Sequence, residues 1–198
     1  MSAHENMEHA EHIEHASHEN RRIALLIAVL ALFLAFSETL GKSAQTDAIK
    51  FNVQSNDLWA FYQAKTIRGT TLQAAATTLE LQSNATSDAA AKAAIAKQIE
   101  TWRKEVARLD DDPGREGRKQ LTEKARKAEH DHETSLAKYH NYEISSALLQ
   151  IGIVLASATI ITGMIALAWI AGALGIGAVV LMGLGLFAPH TLHALHLI

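Results

Sequence analysis

Four histidines near the start of the chain recur every third residue, at His9, His12, His15 and His18, with Glu8, Glu11 and Glu14 each immediately before one of them. Imidazoles beside carboxylates are donors for zinc, nickel or copper, so a transition metal is the chemistry this spacing raises. A helix would not focus all four on one ion. His9 and His12 share a face, but each further step drifts by about 60° around the axis. The same spacing sets Glu8, Glu11 and Glu14 four residues ahead of His12, His15 and His18, a pairing that supports a helix when the histidines are protonated. The tract therefore reads as a solvated, pH-sensitive sleeve, with metal binding as its rival. His190, His193 and His196 close the chain at the same step, interleaved with leucines, and read as an amphipathic end at a membrane surface.

Glu38 is the one ionisable residue inside an apolar run. Such carboxylates tend to mark ion or proton paths, but Lys42 lies four residues on, and an interfacial salt bridge is the plainer expectation. His130, His132 and His140 fall in a polar helix, with His132 on its packing stripe as a hydrogen-bonded residue. No glycine-rich phosphate loop, HExxH motif or Ser/His/Asp layout appears, so no catalytic residue, no cofactor site and no enzyme are expected. The chain has no cysteine, which excludes disulfides and thiolate chemistry. A net charge of −3 indicates neither nucleic acid nor an acidic partner.

The elements that carry these residues follow from how the apolar residues are distributed over the 198 positions. Ile23 to Leu40 holds one charge in 18 residues, which as a helix covers roughly 27 Å, close to a bilayer's hydrocarbon thickness. Ile144 to Ala188 holds no charge in 45 residues, enough for two crossings joined by a tight turn. Trp169, Gly172 and Gly175 put that turn near 169–175, with the tryptophan at the interface. A cleaved signal peptide needs a short basic leader, and here 20 largely acidic residues precede Arg21 and Arg22. The expected fold class is an all-α membrane protein with one N-terminal transmembrane helix, a helical coiled-coil-like stalk and a C-terminal two-span hairpin. Its divisions are a His/Glu-rich tail (1–20), a first span (21–41), the stalk (42–143), spans at 144–168 and 171–189, and a histidine-containing tail (190–198).

Within the stalk, three stripes repeat at three- and four-residue steps, as in helices packed side by side. Ala44, Ala48, Phe51, Ser55, Leu58 and Tyr62 form the first, and Ile95, Ile99, Trp102, Val106 and Leu109 the second. The third joins Leu121, Ala125, Ala128, His132, Ser135, Tyr139 and Tyr142. "DDDPGREG" at 110–117 is a helix–helix turn, and "QSNATSD" is a softer break with Thr86 or Ser87 as cap. A chain that leaves and re-enters one membrane face needs an even number of runs, yet only three segments are marked. Either a bend at Ile67–Thr71, where Gly69 precedes two threonines, supplies a fourth, or one segment lies across the others or along the membrane surface; the glycine and threonines favour the bend. In the last span Ala171-x-x-x-Gly175 and Ala173-x-x-x-Gly177 supply small surfaces for close helix approach.

At "FSETLGKSAQT" (36–46), "NDLWAFYQAKTIR" (56–68) and "KYHNYEISSALLQIGIVLAS" (138–157) the chain resembles a family of small bacterial integral membrane proteins, domain of unknown function 4337. The resemblance runs from the His/Glu-rich start to the last glycine-rich span. It implies a bacterial inner-membrane protein with this helix order, and no activity. Arg21 and Arg22 place the N-terminus in the cytoplasm by the positive-inside rule. The expected role is interaction or scaffolding by homo-oligomerisation in the lipid bilayer. A channel or ion-pathway component is the first rival, and metal handling by the histidine tails the second.

Overall fold

The computed structural model describes the backbone of residues 3–190 and the side chains of residues 20–190. Those residues are all-helical, with four helices and no strand: α1 (Ala3–Ala85), α2 (Ala89–Asp110), α3 (Arg118–Thr162) and α4 (Ile165–Phe187). Three of them, α1, α3 and α4, are long and apolar enough to cross a membrane. The chain divides into two compact units. An apolar unit takes α1 up to Ala48, α3 from Glu133, and α4; a polar unit takes Ile49–His132.

In the apolar unit α4 returns along α3. Ser145 Oγ donates to the Ala178 carbonyl at 2.8 Å, and Asn141 Nδ2 to the Pro189 carbonyl at 3.1 Å. The core joins Ile23 and Leu30 of α1, Leu149 and Ala156 of α3, and Ala171 and Ala178 of α4. Two seven-residue series of α1 face it, Ile23–Leu30–Ser37–Ala44 and Ile27–Leu34–Gly41–Ala48, and none of the eight is exposed. On α3 the series Tyr142–Leu149–Ala156 and Ser145–Gly152–Thr159 are both buried, because one side meets α1 and the other α4.

The turn between α3 and α4 falls at Gly163–Met164, not at 169–175. Gly163 takes φ +70°, the left-handed conformation that ends a helix at little cost for glycine. Its N–H bonds the Thr159 carbonyl at 2.9 Å. The expected spans at 144–168 and 171–189 therefore shift: α3 ends at Thr162, and Trp169 lies inside α4, 77% exposed. Gly172 and Gly175 are ordinary helical positions, which composition could not distinguish from a turn.

In the polar unit α1 runs unbroken through Gly69. The expected bend at Ile67–Thr71 is absent; the helix continues, and the threonine hydroxyls bond back onto it, Thr70 to the Ile67 and Thr66 carbonyls and Thr71 to Ile67. α2 and α3 then line α1 in series. Glu80 pairs with Arg103 and Arg68 with Glu105, both on α2. Lower on α1, Lys65 donates to the carbonyls of Arg115 and Glu116 in the connecting loop, and Trp59 Nε1 to Glu129 on α3 at 2.7 Å. Three segments thus need no fourth. Residues 49–85 of α1, 37 in all, are matched by the 22 residues of α2 and the 15 of α3 up to His132.

Each of the three expected stripes is turned inward. On α1 the series 51–58–65–72–79 and 55–62–69–76–83 are all buried or half-buried. Ile99 and Leu109 are buried on α2, with Ile95, Trp102 and Val106 half-buried; Leu121, Ala125 and Ala128 are buried on α3. The cap of α2 is Asp88, one residue beyond Ser87 and two beyond Thr86, the expected caps, its carboxylate accepting from the Ala90 N–H at 2.9 Å. The 111–117 loop closes tightly. Asp112 Oδ1 accepts from the N–H groups of Gly114 and Arg115, Arg118 pairs with Asp110 at 2.6 Å, and Lys119 with Asp111 at 2.9 Å. A Cβ at Gly117 would meet the Asp112 nitrogen at 2.5 Å, so only glycine fits.

Candidate functional site

The polar side chains of the apolar unit separate into a buried set and an open set. Ser37, Asn141, Ser145 and Thr159 are buried. Ser37 Oγ donates to the Tyr142 carbonyl of α3 at 2.9 Å, Ser145 and Asn141 reach carbonyls at or beyond α4, and Thr159 bonds back to Leu155. Each such hydroxyl or amide spends its donor on backbone that would otherwise have no further partner. In an apolar surrounding, those that cross between helices act as ties worth about 0.6–2 kcal/mol each. Ser37 also borders the open cavity around Glu38.

The open set surrounds Glu38. Residues 37–45 of α1 and 139–150 of α3 enclose a cavity of about 460 Å³ lined by Glu38, Lys42, Tyr139, Glu143, Ser146 and Gln150 among others. Gln150 Nε2 lies 3.5 Å from Glu38 Oε1. Among the described residues no ion pair joins Glu38 to Lys42, so the expected salt bridge is replaced by this longer amide contact across to α3. The i, i+4 geometry permits the pair, but both side chains open onto the cavity. Tyr139 Oη donates to Glu143 at 3.3 Å, and His140 Nδ1 lies 3.5 Å from the other Glu143 oxygen. The Glu143 carboxylate pushes the Tyr139 phenol above its ordinary value. Two carboxylates, an ammonium and a phenol at the end of an apolar segment can hold a polar headgroup or a hydrated ion.

The remaining sequence-predicted residues are spread over the fold. His9, His12, His15 and His18 lie outside the residues whose side chains are described, as do His193 and His196. His190 Nε2 is 3.2 Å from Thr134 Oγ1. Among the described residues no group of three His, Cys, Asp or Glu could hold a metal ion. Ile95, Ile99, Trp102 and Val106 belong to the polar unit, Glu38, Gly175 and Gly177 to the apolar one. The two small-residue pairs of α4 part company. Ala171 and Gly175 are buried, and a Cβ at Gly175 would meet Leu30 Cδ2 at 2.5 Å. Ala173 is exposed and Gly177 has nothing within 4 Å of a Cβ. Sequence reasoning missed Ser37, Asn141 and Ser145. Their signal was available, as isolated small polar residues within or beside apolar runs.

No curated protein and no solved structure matches the chain. The family described as a domain of unknown function (DUF4337) matches residues 19–188, beginning after the histidine tract rather than within it. Covering α1 from its first described side chains to the end of α4, that match shows that the chain belongs to this family.

Proposed function

We propose that the protein is a three-span membrane protein, with the polar unit as a coiled-coil-like stalk and α3–α4 as a two-span hairpin, that works as an interaction or scaffold protein through helical self-association. One observation carries this reading. Outside the apolar segments, α1 leaves large apolar side chains facing outward, among them Val53 at 54% exposure, Phe61 at 62%, Ile67 at 66% and Leu81 at 67%. Exposed apolar patches on an otherwise polar element mark contact surfaces. The open pair Ala173 and Gly177 on α4 adds a second helix face free to meet a neighbour in lipid.

The site is a bacterial inner membrane, with the N-terminus in the cytoplasm. Native mass measurement of the detergent-purified chain tests the reading: a defined homo-oligomer is expected, and a monomer at every concentration overturns it. A channel is the second reading, favoured by the Glu38 cavity. The core polar groups are tied to backbone, so its conduit would form between protomers, with ion flux in liposomes abolished by Glu38→Gln. Metal handling by the histidine tails would appear as an ion that survives chelator dialysis and is lost on deleting residues 2–20.

A further inference from the structure

In the polar unit, the side of α1 turned away from α2 and α3 carries a repeat of its own. Val53, Ala60, Ile67, Ala74 and Leu81 stand at every seventh residue, and all five are exposed. A seven-residue step returns to nearly the same angle, so they form one line along the helix. Each follows by two residues a member of the inward series 51–58–65–72–79, which places the line about 200° round the axis, on the opposite side.

The line itself is free of charge. Between Val53 and Leu81, α1 has four charged residues: Asp57, exposed three residues before Ala60, and Lys65, Arg68 and Glu80, which are drawn to the other side. Lys65 bonds the carbonyls of Arg115 and Glu116, Arg68 pairs with Glu105, and Glu80 with Arg103. The threonines that flank the line hide their polarity as well. Thr70, Thr71, Thr77 and Thr78 each donate their hydroxyl to a carbonyl three or four residues back. A helix side made only to face water shows the reverse pattern, with charges outward.

We propose that this line is a parallel, in-register contact between the α1 helices of two copies of this chain, an inference that rests on the self-association reading above. A second copy fits for three reasons. From Ala60 to Leu81 the line meets its own image without like-charge repulsion, whereas a strongly charged partner finds no complement here. Both copies enter the membrane through the same helix, so their α1 helices run the same way, as an in-register heptad seam requires. The area is that of a weak contact. Four heptads at 1.5 Å rise and roughly 10 Å width give a footprint near 420 Å² per chain, about 840 Å² for the pair, a little under the floor of about 1,000 Å² for a stable interface. Confinement to one bilayer lowers the cost of bringing the copies together.

The chain's lack of cysteine makes the test direct. Full-length Ala60→Cys, Ile67→Cys and Ala74→Cys variants, each at an exposed position, are oxidised mildly in native membranes beside Gln73→Cys, which is also exposed but about 100° round the axis from Ala74. A disulfide-linked species of twice the 21.5 kDa chain mass is expected at 60, 67 and 74, with about tenfold less at 73, since a disulfide needs its two Cβ atoms within about 4.5 Å. An oligomer by native mass that links equally at 73, or at none of the four, overturns the seam and leaves self-association standing. A monomer by native mass removes both. A linked species of any other mass assigns the line to a different protein and overturns the proposal.

Discussion

Glycine acts in two opposite ways on α4, and the difference is visible only at the scale of single atoms. A Cβ at Gly185 would lie 2.9 Å from Tyr142 Cε1 and 3.2 Å from Asn141 Cβ, while one at Gly177 meets nothing within 4 Å. Gly185→Ala should therefore cost about 1–3 kcal/mol by overpacking. Gly177→Ala should be neutral or gain up to about 1 kcal/mol of helix propensity in the isolated chain. Thermal melting in detergent separates the two, and equal losses would show that Gly177 also has a tight neighbour. The sequence marks both glycines alike. Their environments differ because Tyr142 and Asn141 reach Gly185 from α3, and no local pattern records that. Glu38 shows the same limit: Lys42 is its neighbour in sequence, but Gln150, 112 residues away, is its neighbour in space.

At the scale of elements, periodicity was the legible part. The stripes on α1, α2 and α3 lie where three- and four-residue spacing puts them, and the 110–117 break is a loop. Two boundaries were misread for one reason. Glycine at Gly69, Gly172 and Gly175 is tolerated inside helices, whereas Gly163 ends one through a positive φ that composition does not reveal. At Gly69 the position is open, with nothing within 4 Å of a Cβ. Gly69→Ala should raise stability by roughly 0.5–1 kcal/mol, as expected for removing glycine from a helix interior, and a lower melting temperature would reveal a hidden close contact. Acid should loosen α2 and its loop first. A hydrogen bond from Arg108 holds Glu105 below the usual carboxylate range, Gln120 and Lys119 do so for Asp111, and Lys124 for Glu116. Depressed folded values mean that this support is complete above the unfolded carboxylate range. It is lost as pH falls below about 4 toward the folded values. Hydrogen exchange should show 89–117 losing protection before the apolar unit does. Salt should mimic part of the effect, because these groups are open to solvent.

For the whole molecule, the count of apolar segments was legible and the route between them was not. Run length and charge alone mark three segments long and apolar enough to cross a membrane, but the pairing of one long helix with two shorter ones in series leaves no trace in composition. Under the three-span reading, cysteines at Ser2 and Ser87 should report opposite membrane faces to an impermeant thiol reagent on intact cells. Labelling of Ser87→Cys alone is expected; equal labelling of both would remove the first crossing. The C-terminal end of α4 lies beside Thr134 and Asn141, so a cysteine at Ala188 should share the accessibility of the α3 residues that precede its apolar stretch.

That serial pairing also sets an order of assembly. The contacts of α1 with the later helices and their connecting loop widen in sequence as they descend the helix: Glu80 with Arg103 across 23 residues, Lys65 with Arg115 across 50, Trp59 with Glu129 across 70, and Ser37 with Tyr142 across 105. They are nested around the 86–88 turn, so each, once made, shortens the free chain that the next must close. The entropy of a large loop is then met in small instalments rather than all at once. A chain emerging from synthesis in that order can close from the turn inward, and α1 waits for its partners for no longer than the next segment takes to appear.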